Sequence, residues 1–108
     1  MTANRTHLPN RRPHWLYRFE CDGQSYTGGI GRFEDGRIAE VFINGAKVGS
    51  SAESNAQDAA ILASLALQHG CPVETIRHAL ARSGDSAGPV AILLGEIAKD
   101  EGGDNAAA

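Results

Sequence analysis

No stretch of this chain stays apolar for anything near the roughly 20 residues that a membrane-spanning helix needs. The N-terminus also lacks the apolar core of a signal peptide. Cysteine is scarce: Cys21 and Cys71 are the only two, 50 positions apart. That spacing suits neither a CxxC redox pair nor a zinc knuckle. The reading is a cytoplasmic chain with two buried free thiols. Length is scarce too. At 108 residues the chain is too short for a large barrel or a full dinucleotide-binding fold. In a complicated enzyme system it is a module and not the whole catalyst.

Charge is modest and unevenly placed. Net charge is −3. Residues 1–14 carry Arg5, Arg11 and Arg12 and no acid, whereas residues 15–98 hold six basic against ten acidic side chains. An acidic body argues against non-specific nucleic-acid binding, which rests on phosphate neutralisation. Composition divides the chain into a disordered basic arm over 1–14, one ordered domain over 15–99 and a disordered tail over 100–108.

What is present begins with alternation. Trp15, Tyr17, Phe19 and Cys21 alternate with Leu16, Arg18 and Glu20, the pattern of a half-buried strand. Asp22-Gly23 is a hairpin turn signal. Gln24–Phe33 reads as the return strand, interrupted by Gly28-Gly29-Ile30-Gly31, which marks a bulge or a close backbone approach. Glu34-Asp35-Gly36 is a second turn, and Arg37–Ile43 is the most apolar strand. The period then changes from 2 to 3.6. A helix is expected over 55–69, capped by Ser54 or Asn55, with Ile61, Leu62, Leu65, Ala66 and His69 on its buried face. Gly70 stops it, and Pro72 opens a second helix with a stripe of Val73, Ile76 and Leu80. Pro89 opens a third, where Val90, Leu93, Leu94 and Ile97 recur at i, i+3, i+4 and i+7. The expected fold is two-layer α+β: a three-stranded antiparallel β-meander covered by three helices. The open edges of such a sheet allow a homodimer.

No Ser-His-acid or Cys-His arrangement follows from the spacing, so no catalytic residue is assigned. His69, Cys71 and His78 do not share one helical face, and no metal ligand is assigned either. The link before the first helix offers Asn44, Gly45, Lys47, Ser50, Ser51 and Asn55 near a helix N-terminus, a combination that can hold an anion or nucleotide. Residues 56–82 also have the outline of a helix-turn-helix, with Thr75, Arg77, His78 and Arg82 as polar groups on the second helix. A small DNA-binding regulator is therefore one alternative.

Asp35-Gly36-Arg37-Ile38-Ala39-Glu40-Val41-Phe42-Ile43, the small-residue helix Ala59–Leu67, Gly70-Cys71-Pro72-Val73-Glu74-Thr75-Ile76 with Leu80, and Ala87-Gly88-Pro89 together resemble a known pattern. It is that of the C-terminal module of class II, adenosylcobalamin-dependent ribonucleotide reductases, the TSCPD domain. The likeness spans about residues 15–98. The Thr-Ser-Cys-Pro-Asp run that names the domain reads Ser86-Ala87-Gly88-Pro89-Val90 here, without thiol or acid. The tail also lacks the cysteine pair found at the C-terminus of those reductases. The resemblance implies an accessory or regulatory module linked to deoxyribonucleotide synthesis. It implies a protein partner such as a ribonucleotide reductase, and no cofactor of the module's own, since adenosylcobalamin belongs to the partner. A non-catalytic subunit that completes a split reductase is the other alternative.

Overall fold

The computed structural model describes residues 14–45, 47–81 and 87–107, with side chains over 16–45, 47–81 and 87–100. The basic arm expected over 1–14 lies outside them except for His14. Strands β1 (His14–Cys21), β2 (Gln24–Arg32) and β3 (Ile38–Gly45) are followed by helices α1 (Ser51–Gln68), α2 (Val73–Leu80) and α3 (Pro89–Ala107). The order and the α+β class are those expected. The third helix runs on through residues read from sequence as tail.

The sheet is an antiparallel meander, β1-β2-β3. Its first hairpin closes at Cys21 and Gln24. Asp22 and Gly23 have φ of 55° and 78°, the positive pair that a two-residue turn between right-twisted strands requires. Phe19 and Tyr26 sit opposite each other across that hairpin and stack at 5.5 Å. The glycine cluster carries both features expected of it. The pairing with β3 slips between Gly31 and Arg32, and a methyl on Gly28 would stand 2.7 Å from Leu93 of α3. Glycine here lets a helix come down directly on the central strand.

One face of the sheet is covered. β3 carries α1, and β1 carries α3. The core joins Phe19, Tyr26, Ile30, Val41 and Ile43 of the sheet to Val90, Leu93, Leu94 and Ile97 of α3. The four α3 residues are the expected stripe, and all are buried.

The first helix departs from expectation. It begins four residues early, at Ser51, and its cap is Ser50, whose hydroxyl accepts the Glu53 N–H at 3.2 Å. The Glu53 carboxylate in turn accepts the Gly49 N–H at 3.0 Å. Its buried face is Ala56, Ala60, Ala63, Leu67 and Gln68. Ile61 and Leu62, expected inside, are exposed, as is His69; Leu65 and Ala66 are half-buried. Small side chains let α1 lie close enough to β3 for its polar side chains to reach the strand backbone. The second helix also differs: Pro72 is its cap, no α2 residue is fully buried, and Leu80 is exposed. Cys21 and Cys71 are half-buried, not buried.

Candidate functional site

Between β3 and α2 the turn chemistry brings distant segments together. α1 ends with Gly70 at φ 98°. The Cys71 N–H donates to Ala66 C=O at 2.9 Å and the Gly70 N–H to Leu67 C=O at 3.1 Å, which satisfies the last helical carbonyls. This turn directs Cys71, Pro72 and Val73 towards the β2–β3 turn. There the Asp35 carboxylate accepts both the backbone N–H and the guanidinium of Arg37, at 3.0 and 2.8 Å. Those two bonds hold the Asp35 carboxyl below its usual range. The Arg37 guanidinium lies 4.8 Å above the Phe33 ring, and Arg32 donates to Gly36 C=O at 2.8 Å. The result is a cleft of about 420 Å³ with Arg32, Phe33 and Arg37 on one wall and Leu67, Cys71 and Val73 on the other. Gly36, Arg37 and Ile38 of the β2–β3 connection meet residues 70–74 in it.

The segment proposed from sequence as an anion site is arranged differently from a cradle. Asn44 accepts from the Gln57 amide at 3.1 Å. Gly45 packs so closely that a methyl there would strike the Ser25–Tyr26 backbone. Lys47 C=O accepts the Ser50 N–H at 2.9 Å. The Ser50 hydroxyl is the helix cap. Lys47, Ser51 and Asn55 are exposed. The Glu53 carboxylate already takes an N–H at the helix entrance, the position that favours negative charge. The signal was legible in the sequence as Ser50-Ser51-Ala52-Glu53, the Ser-x-x-Glu pattern of a capping box, with Glu53 taking the Gly49 N–H in place of that of Ser50.

On α2, Arg77 is held by Glu74 at 3.0 and 3.2 Å. Among the described residues no group of three His, Cys, Asp or Glu side chains could hold a metal ion. No described helix is long and apolar enough to cross a membrane.

A third feature has no counterpart in the sequence expectations. Antiparallel alternation leaves every second backbone unit of β3 pointing away from β2. Ser64 of α1 accepts the Val41 N–H and donates to the Val41 C=O, both at 2.9 Å. One helical turn on, the Gln68 amide donates to Ala39 C=O at 3.1 Å. These side chains occupy the β3 edge where another strand would pair, so the open edge expected on that side is closed. The same rotation of α1 turns Ile61 and Leu62 to the surface. Between Ile61 and Phe42 runs a groove of about 250 Å³, also lined by Val41, Ile43, Asn44, Gln57 and Ala60.

These features define a small α+β module with a cleft between the β2–β3 turn and the start of α2, a groove between β3 and α1, and an exposed apolar pair on α1. The TSCPD domain profile matches residues 5–99, and the chain belongs to the TSCPD domain family. Over 74 residues it is 36% identical to the vitamin B12-dependent ribonucleotide reductase of Agrobacterium fabrum. Over 70 residues it is 33% identical to the protein of that name from Bradyrhizobium diazoefficiens. The matches cover 68% and 65% of this chain and 6% of each relative. No solved structure matches.

Proposed function

We propose that this chain is an accessory, regulatory module of a ribonucleotide-reductase system, acting on deoxyribonucleotide synthesis by binding a catalytic chain. The observation that carries the reading is the extent of the match. The family covers residues 5–99, yet the aligned part is 6% of each reductase. What the chain shares with these reductases is one small module, and the reading gives that module a binding role. Adenosylcobalamin belongs to the catalytic chain in this reading, and the cytoplasm is the compartment it requires. A nucleotide contact at 44–55 would use Lys47, Ser51 and Asn55, which are exposed, in competition with Glu53, while the exposed Asn44 is engaged by Gln57.

The test is to add the purified chain to a vitamin B12-dependent ribonucleotide reductase and measure both association and rate. Saturable association with a changed rate supports a regulatory module. Association that is required for any rate at all supports the split-enzyme alternative. No association overturns the reading. Titration with nucleoside di- and triphosphates, followed by amide chemical shifts, tests the 44–55 contact separately.

A further inference from the structure

We infer that the exposed face of α1, with the groove it shares with β3, seats a short partner segment presenting an apolar side chain flanked by lysine or arginine. The inference rests on the proposed function and names the surface and the chemistry of its partner.

The face is unusual for a helix whose other side is in the core. Ile61 and Leu62 are adjacent and 57% and 67% exposed. The groove beside Ile61 has an apolar floor from Val41, Phe42 and Ala60. Its polar end is the Asn44–Gln57 hydrogen bond at 3.1 Å. An apolar side chain fits the floor, and a backbone or amide group can meet the polar end. A partner cannot add a strand here, because Ser64 and Gln68 already hold the β3 edge. Contact is therefore made through side chains on the helix surface.

Charge selects the partner. The 18 residues of α1 include Glu53 and Asp58 and no lysine or arginine. Glu53 is turned back to Gly49, but Asp58 is exposed and lies three and four positions before Ile61 and Leu62, on the same side of the helix. A second copy of this face would bring like charges together, which opposes association. The face offers two large exposed apolar side chains, Ile61 and Leu62, against the roughly 20–30 residues a side of a standard globular interface. A short basic and apolar segment fits both its size and its charge.

The test uses the full chain and two synthetic amphipathic peptides with leucines along one face. One carries lysines on the other face and one carries glutamates. Amide chemical shifts report where each binds. The lysine peptide is expected to perturb Phe42, Asp58, Ile61 and Leu62, and the glutamate peptide to leave them unmoved. Leu62→Ser should weaken the lysine peptide by about tenfold or more, and Asp58→Asn by less. Both positions are exposed, and circular dichroism verifies that the fold is retained. Equal binding of both peptides, or unchanged binding by Leu62→Ser, overturns the inference. So does self-association of the wild-type chain that Leu62→Ser abolishes, since a second copy would then cover the face. None of these outcomes depends on association with a reductase, so this surface and the proposed function can fail separately.

Discussion

Helices α1 and α3 both carry a stripe of large aliphatic residues, and they use it in opposite ways. Val90, Leu93, Leu94 and Ile97 of α3 are at most 4% exposed. Ile61 and Leu62 of α1 are mostly in solvent. The difference is in what lies beneath each helix. α3 sits over β1 and over Gly28, where the sheet has no side chain and Leu93 fills the space. α1 sits at the β3 edge, where strand N–H and C=O groups need partners. Ser64 and Gln68 must face that edge, and alanines must allow the approach. The aliphatic residues are then carried round to the outside. Backbone hydrogen bonding outranked side-chain hydrophobicity in setting the rotation of α1.

That contrast can be broken most strongly in the core. Leu94→Ala should cost about 2–5 kcal/mol, because the cavity beside Ile97 cannot fully collapse. Leu62→Ala should change stability by less than about 0.5 kcal/mol, as an exposed site does. Urea unfolding of the two variants measures the difference directly. Equal losses would show that the α1 face is covered in solution.

Ser64→Ala is next. It leaves the Val41 N–H and C=O without their partner in a half-buried place, at a cost of about 1–3 kcal/mol. It also reopens part of the β3 edge. Sedimentation velocity should then show stronger concentration-dependent association than for the wild-type chain. An unaltered denaturation midpoint would mean that the edge is not closed by α1.

Ser50→Ala should cost about 1 kcal/mol, the usual value of a helix cap. The same change at Ser54, one of the two caps the sequence offers with Asn55, should cost less. Reversal of that order in thermal melts would place the start of α1 where the sequence pattern alone put it.

The smallest effect is alkaline. Burial, then the nearby Asp22, pushes the Cys21 thiol above its ordinary 9.0. Burial, then Cys21 and Asp22, likewise raises Tyr26 above 10.0. A raised folded-state value means that the folded chain holds its proton longer than the unfolded chain. The stability from this source is complete below pH 9.0 and is lost as pH rises through the folded-state values. Cys21→Ala should flatten the early part of that decline in a pH series of melting temperatures.

The candidate sites were legible to different degrees. The segments 35–43 and 70–76 each showed their turns in sequence, but nothing local indicated that residues 36–38 and 70–74 share a cleft. The 44–55 link was visible as a helix entrance. Ser50 with Glu53 was the readable sign that the entrance is internally capped, and the early start at Ser51 follows from it. The exposed α1 face was the opposite case. Helical periodicity identifies a stripe, but α1 carries two, one of alanines and one of aliphatics, and hydrophobicity alone favours the wrong one.

The amino-acid sequence determined the elements and their order. Alternation in β1, the Asp22-Gly23 turn, the break at Gly70 and the α3 stripe are local signals, since each depends on residues within one or two turns of chain. Tertiary structure alone decided the rotation of α1, the closure of the β3 edge, and the meeting of residues 36–38 with 70–74. Those outcomes depend on which backbone groups lack partners once the sheet has formed. A strand edge exists only after the strands have paired, so no single segment of the sequence can show it.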